Sequence, residues 1–237
     1  MIDIHTHILP GVDDGAKDFE TSISILKLLE QNGVKTVCLT PHMNKKDEED
    51  NYLKLQSRYN ELLSLTQTTL DMTILLGAEV MFSPGMKQLL DNNKWCFIGE
   101  SSRYYLLEFL NNQIPSCAEK VIFDTIIDGY VPVLAHVERY DWDSRVTAFM
   151  TYMQKNGVLF QINSGSLLGK YGRKMKKKAV KLIKAGWCNV LASDIHKKDD
   201  AVRYNLKIVA EFVTKTFDSK KTQELLFEIP EKIIQAG

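Results

Sequence analysis

Short apolar runs along this chain end, one after another, in a histidine or an acid. Val37-Cys38-Leu39-Thr40-Pro41 leads to His42, Val131–Ala135 to His136, and Val190–Ile195 to Asp194 and His196. Ile74–Ala78 ends at Glu79 and Tyr104–Leu107 at Glu108, while the opening run carries His5 and His7. All five histidines of the chain are accounted for in this way. Between the runs lie stretches with apolar residues at helical spacing. A strand followed by a helix, repeated, predicts a parallel β/α barrel whose strand ends converge on one face, where such barrels place their chemistry. Ligand-type residues at so many successive strand ends predict a multinuclear metal site.

The first sixteen residues show the pattern in its densest form. Side chains two apart on a strand share a face, so His5 and His7 can grip one ion with two imidazoles. Pro10 and Gly11 break the strand, and Asp13-Asp14-Gly15 makes a turn that returns carboxylates towards the same point. Asp13 fits an Asx turn, and Asp14 fits either a turn or a ligand.

The rest of the chain reads as alternating elements. A helix starts at Asp18 and stops at Gly33, with Phe19, Ile23, Leu26 and Leu29 on one face. Val34–Thr40 is a strand, Asn44–Asn51 a polar loop containing Lys45 and Lys46, and Tyr52–Thr66 an amphipathic helix. Met72–Val80 is a strand, Ser83-Pro84 opens a short helix, and Trp95–Ile98 is a short extended piece. Tyr104–Leu110, Val131–Val137, Val158–Asn163 and Asn189–Ser193 are strands. Helices are expected over Ser116–Asp128, Ser144–Asn156, Tyr171–Ala185, Ala201–Thr216 and Lys220–Gln235. The sum is about seven strands without repeats or linkers: one α/β domain over residues 1–237, a (β/α)7 barrel of distorted TIM type.

Composition excludes several alternatives. Thirty basic and thirty acidic residues cancel, so no global field favours nucleic acid or a membrane surface. No run approaches a bilayer-spanning length, and no signal-peptide pattern opens the chain, which places the protein in the cytoplasm. The four cysteines are scattered singly, without zinc-knuckle spacing or the density of a disulfide scaffold. A cysteine phosphatase needs an arginine six residues after its nucleophile, and those positions hold Asn44, Ser102, Phe123 and Asp194. Gly165–Tyr171 resembles a phosphate loop but is one residue short and lacks the hydroxyl residue after Lys170. No Gly-x-Ser-x-Gly occurs. The basic run Lys170–Lys178 reads as the solvated face of a helix, with an anionic partner as the alternative.

Taken in order, these residues carry a resemblance. His5-x-His7 with Leu9-Pro10-Gly11-x-Asp13-Asp14-Gly15-Ala16, then Thr40-Pro41-His42, Gly77-x-Glu79, Glu108, Ala135-His136-x-Glu138-Arg139-Tyr140 and Ser193-Asp194-x-His196 resemble the polymerase-and-histidinol-phosphatase (PHP) superfamily. Within it the likeness is to the bacterial protein-tyrosine phosphatases of capsule and exopolysaccharide operons. It runs from residue 1 to about residue 200, and the Asp-Asp-Gly-Ala and His-x-Glu-Arg-Tyr elements distinguish this branch.

The resemblance implies a PHP-type barrel and up to three divalent ions, manganese first, with iron or zinc also suited to the donors. It assigns His5, His7, Glu79 and Asp194 to one ion. Glu79 bridges to a second, completed by Glu108 and His136, and Asp14, His42 and His196 hold a third. It further implies phosphomonoester hydrolysis by a hydroxide held between two ions, with Glu79 and Arg139 as the catalytic residues. Arg139 would bind the phosphate; on residues alone it reads as an ion pair with Glu138, Asp141 or Asp143. Asp199, Asp200 and Arg203 are candidates for the pocket wall without an assigned role. The implied partner is a phosphotyrosine protein, the tyrosine-rich tail of a bacterial tyrosine kinase, with neither nucleic acid nor membrane insertion. The alternatives are a histidinol-phosphatase-type small-molecule phosphatase and a PHP nuclease, the latter lacking a basic, aromatic groove.

Overall fold

Apolar runs bounded by glycine and proline become strands here, and runs with apolar residues every three or four positions become helices. The computed structural model describes residues 1–43, 50–99 and 102–235, so the expected loop at Lys45 and Lys46 lies outside the described residues. In chain order the strands are β1 (Ile2–Thr6), β2 (Thr36–Leu39), β3 (His42–Met43), β4 (Thr73–Leu76), β5 (Glu79–Met81), β6 (Tyr104–Glu108), β7 (Val131–Leu134), β8 (Leu159–Asn163) and β9 (Val190–Ala192). The helices are α1 (Phe19–Gln31), α2 (Asp50–Thr66), α3 (Met86–Asn92), α4 (Ala118–Ile127), α5 (Ser144–Lys155), α6 (Ser164–Leu168), α7 (Gly172–Lys184), α8 (Lys198–Arg203), α9 (Leu206–Thr216), α10 (Ser219–Gln223) and α11 (Ile229–Gln235).

The ladders between these strands are all parallel, in the orders β1-β2-β4 and β3-β5-β6-β7-β8-β9. Two staves of the barrel are broken: Met72–Val80 was expected as one strand, and the strand expected to end at Thr40 resumes beyond Pro41. Pro41 has no N–H to continue the ladder, so β2 stops and β3 resumes at His42. Gly77-Ala78 likewise separates β4 from β5. The breaks stay stitched, Gly77 N donating to Leu39 O at 2.9 Å and Glu79 N to Pro41 O at 3.0 Å. On the other side β1 meets the end of β9: His7 N donates to Ile195 O and Asp194 N to His5 O, each at 2.9 Å. Counting each broken stave once, the described strands make the expected seven-stave barrel.

Three other expectations shift. Trp95–Ile98 is mainly a 3-10 turn, Lys94–Cys96, with Phe97 bridging antiparallel to Tyr105. Ala201–Thr216 splits into α8 and α9, because Asn205 takes an extended backbone and caps α9, its side chain accepting from Ile208 N. The last helix passes through a π turn at Glu224–Glu228, where Ile229 N reaches back to Glu224 O. Pro230 follows directly; a proline inside a helix lacks the N–H and crowds the preceding turn. The helix starts otherwise follow the sequence, as where Asp18 accepts from Thr21 N at 2.8 Å to cap α1. No described helix is long and apolar enough to cross a membrane.

The core has two parts. The larger packs the helices against the outside of the barrel. The smaller fills the interior below the site with Ile4, Cys38, Leu106, Val133, Ala135, Val190 and Ala192, and Ile233 of α11 closes it from the N-terminal end. Ser102 Oγ ties α11 in place by donating to Ile233 O at 2.7 Å.

Candidate metal centre

At the other end the same strands give out into polar side chains. β1 carries a register shift between Asp3 and Thr6, and a bulge of this kind re-aims side chains beside a site. His5 Nε2 and His7 Nε2 consequently face each other at 3.1 Å. Glu79 Oε2 lies 3.3 Å from the first and 3.2 Å from the second, and Asp194 Oδ1 lies 3.4 Å from both. Four donors around one ion at about 2.1 Å stand about 3.4 Å apart when tetrahedral. The spacing and the mixed imidazole–carboxylate chemistry therefore fit a divalent metal ion.

The remaining donors spread outward from Glu79. His42 Nδ1 lies 3.0 Å and His136 Nε2 3.0 Å from its two oxygens, with Glu108 Oε2 3.6 Å and 3.7 Å from those rings. Asp14 Oδ1 is 3.6 Å from His42 Nε2 and 3.4 Å from His196 Nε2. All nine expected ligands are thus brought together. Seven of them fall into three groups, one of His5, His7 and Glu79, one of His42, Glu79 and Glu108, and one of His7, Asp14, His42 and His196, while Asp194 adjoins the first and His136 lies against Glu79 and Glu108. This differs from the expected partition at His7, which joins the third group as well as the first, and at His42, whose two ring nitrogens face two groups at once.

The turn after β1 is held by close backbone approach. Ala16 N donates to His7 O at 3.0 Å, and a Cβ on Gly15 would fall 1.7 Å from that same oxygen, so only glycine fits. Asp13 does more than shape the turn. Its Oδ1 accepts from Gly15 N at 2.9 Å, and its Oδ2 accepts from His7 Nδ1 at 2.8 Å. A carboxylate only accepts, so the ring proton sits on Nδ1 and Nε2 is free for an ion. Two candidate ligands, His136 (φ 36°) and Asp194 (φ 54°), hold left-handed backbones, a conformation that costs a non-glycine residue free energy and recurs at functional sites.

Electrostatics ties the cluster together. Burial works against the charge on Glu79, but the His5 charge and hydrogen bonds with His136 and His42 outweigh it and hold the carboxyl well below its usual range. For Asp194 burial is likewise overcome, by His5, Arg139 and His7, bringing it to about 2. Burial also disfavours charge on His7 and His136. Hydrogen bonds with Asp13 and Glu79 hold His7 well above its ordinary value, and those with Glu108 and Glu79 lift His136 to about 9. Without an ion, protons compensate the carboxylates, and metal binding would displace them.

The cluster floors a cavity of about 560 Å3, walled by Arg139, Lys170, Tyr171, Lys197 and Asp200. Arg139 does not pair with Glu138, Asp141 or Asp143. Its guanidinium donates to Asp194 Oδ2 at 2.7 Å and to Tyr171 Oη at 2.9 Å. Asp200 pairs with Lys170 at 2.8 Å, whereas Asp199 and Arg203 pair with each other on the exposed surface. Most of the basic run is solvated, but Lys176 covers the Phe212 ring and Lys178 donates to Tyr140 O. A larger cavity, about 770 Å3, lies between the loops after Glu108 and His136 and is lined by no histidine.

The model of the family described as capsular polysaccharide synthesis, CpsB/CapC, matches residues 1–235. The chain belongs to the CpsB/CapC family. It is 31% identical over 197 residues to the tyrosine-protein phosphatase YwqE of Bacillus subtilis, covering 83% of this chain and 77% of the relative. It is 29% identical over 240 residues to the tyrosine-protein phosphatase CpsB of Streptococcus pneumoniae, covering 99% and 98%. A structure described among those of YwqE and CpsB as unique metal-dependent tyrosine phosphatases superposes with a TM-score of 0.86 at 29% identity, over 100% of this chain and 95% of the other. A histidinol phosphate phosphatase from Lactococcus lactis shares only the fold, with a TM-score of 0.56 at 12% identity over 94% and 95%.

In this CpsB/CapC chain the nine candidate donors and Arg139, all visible in the sequence, come together in space, but two further residues stand behind them. Gln161 and Asn163 of β8 are wholly buried and reach the cluster from inside the barrel. Their signal was present: two polar side chains two apart in an otherwise apolar run, Leu159-Phe160-Gln161-Ile162-Asn163, must share one face. Polar groups there need buried partners.

Proposed function

We propose that this chain is a metal-dependent protein-tyrosine phosphatase, with residues 1–237 forming one catalytic domain. The observation that carries the reading is the convergence of nine donor residues and one guanidinium on a single cavity. His5, His7, Glu79 and Asp194 hold the innermost ion. Glu79, Glu108 and His136 would hold a second, and Asp14, His196 and His42 a third, with His42 also near the second set of donors. Manganese, iron and zinc all accept this donor set, and manganese is the first candidate. When bound, such ions supply Lewis acidity and lower the pKa of water.

The chain's own residues do the rest. Four carboxylates, Asp14, Glu79, Glu108 and Asp194, only partly balance three dications, leaving a cavity that favours a phosphate dianion. The Arg139 guanidinium offers paired donors to two phosphate oxygens. Asp194 and Tyr171 hold it at the cavity wall, which limits the entropy lost when phosphate arrives. Phenolate, with a conjugate-acid pKa near 10, leaves more readily than an alkoxide, so an aryl phosphate needs less help from a general acid. The proposed substrate is the tyrosine-rich tail of a bacterial tyrosine kinase in capsule or exopolysaccharide control, met in the cytoplasm. The test is kcat/KM on a phosphotyrosine peptide, histidinol phosphate and single-stranded DNA, with and without chelator. A strong preference for the peptide, lost to chelation and restored by divalent metal, is expected; preference for histidinol phosphate or DNA would overturn the reading.

A further inference from the structure

Behind the donor cluster runs a chain of buried amides whose direction is fixed at both ends. The backbone N–H of His136 is a donor and nothing else, and it points at one end of the Gln161 side chain at 2.9 Å. That end is therefore the carbonyl oxygen, Oε1. His5 Nδ1 lies 3.2 Å from the same oxygen. With the carbonyl committed there, the Gln161 amide nitrogen donates in the opposite direction, to Asn163 Oδ1 at 2.6 Å. Asn163 in turn presents its own nitrogen to Asp194 Oδ2 at 2.6 Å. An ionised carboxylate oxygen only accepts. A backbone donor at one end and a carboxylate at the other leave one consistent orientation for both amides.

We propose that Gln161 and Asn163 are positioning residues that preset His5 and Asp194 for metal. Because Gln161 Oε1 can only accept, neutral His5 must carry its proton on Nδ1, which leaves the Nε2 lone pair facing His7, Glu79 and Asp194. At the far end, Asn163 and Arg139 together occupy Asp194 Oδ2. Oδ1 is left as the oxygen that faces both imidazoles. One chain of amides thus selects the ring nitrogen of one ligand and the oxygen of another. It also ties the left-handed backbone of His136 to both. Partners of this kind behind a metal ligand are worth about 10–100-fold in affinity.

The inference rests on reading His5 and Asp194 as metal ligands, but its first test needs no metal and no substrate. Nitrogen-15 NMR of the metal-free wild-type protein at alkaline pH should show His5 as the Nδ1–H tautomer; the Nε2–H tautomer would overturn the proposal while leaving the phosphatase reading intact. The second test is metal affinity by competition with a chromophoric chelator, using manganese and zinc. Gln161→Met, which keeps the bulk and removes both hydrogen-bonding ends, should bind about 10–100-fold more weakly. Gln161→Glu keeps an acceptor for His5 and for His136 N and, with its other oxygen protonated by burial, a donor for Asn163, so it should recover most of that loss. Wild-type affinity in Gln161→Met overturns the proposal. So does an equal loss in both variants, which would make residue 161 a packing element. If Gln161→Met fails to fold, the His5 tautomer and the Gln161→Glu affinity decide the matter.

Discussion

The two ends of the barrel are built from the same strands and are chemically opposite. At the N-terminal end alternate residues such as Ile4, Cys38 and Val190 meet Ile233, with no carboxyl, imidazole or amine among them. At the C-terminal end, a few residues further along those strands, charges crowd at 3.0–3.7 Å and the backbones of two candidate ligands, His136 and Asp194, sit in the left-handed region. Burying apolar area stabilises by about 25 cal/mol per Å2. Burying like charges together costs free energy unless a counter-ion or proton compensates. One end therefore supplies stability that the other consumes, and substitutions at the two ends should separate stability from activity.

The largest effect is expected at Glu79, whose oxygens lie within reach of four histidine rings. Glu79→Gln keeps the shape and removes the charge. It should lower kcat/KM by about 1,000-fold or more, equivalent to about 4 kcal/mol, and lower bound metal by elemental analysis. Near-wild-type turnover with full metal content would break the contrast, because the strand-end cluster would then be structural.

Next comes Arg139→Ala. Losing a charge-assisted contact to the phosphoryl group in a desolvated site should cost about 2–4 kcal/mol of transition-state stabilisation. Arg139→Lys should recover only part, since an ammonium lacks the forked geometry. Because Arg139 also holds Asp194, metal content must be measured alongside. A fall in kcat/KM with metals retained supports phosphate recognition, whereas a fall with metal lost would make the residue a support for Asp194.

At the opposite end Ile233→Val should cost about 0.5–1.5 kcal/mol of stability, read as a lower chelator-free melting temperature. Its kcat/KM per folded molecule should be unchanged. A change in metal affinity in this variant would show that the two ends are coupled through the interior.

How much of this was legible follows from the physics each residue obeys. Strand ends and helix stops are local: Gly33 and Asp18 mark α1 without reference to the rest of the chain. The donors were legible because histidines are few and all sit at strand ends. The breaks at Pro41 and Gly77-Ala78 were visible as residues, but only the two-ladder pairing shows that they interrupt a stave. The Arg139 partner was not readable, since nearby acids in sequence compete with Asp194, which the fold brings from 55 residues away. Gln161 and Asn163 lacked any ligand chemistry, and their roles exist only through partners on β1 and just beyond β7 and β9.

The smallest effect should come from alkylating the cysteines, which divide along the same line. Cys38 sits in the interior below the site, Cys96 and Cys188 in the outer core, and burial pushes all three thiols up, so they stay protonated. A thiol without thiolate character is a poor nucleophile, and none lines the metal cavity. Cys117 is exposed, in the loop before α4. Alkylation of the folded protein should therefore reach Cys117 alone and leave kcat/KM unchanged. Replacing the three buried cysteines by alanine should cost about 1 kcal/mol each, as small hydrophobes removed from packed surroundings, while the rate per folded molecule stays the same. If alkylation abolished turnover with metals and fold intact, hydrolysis would depend on a thiol, and the assignment of chemistry to the strand-end cluster would fail.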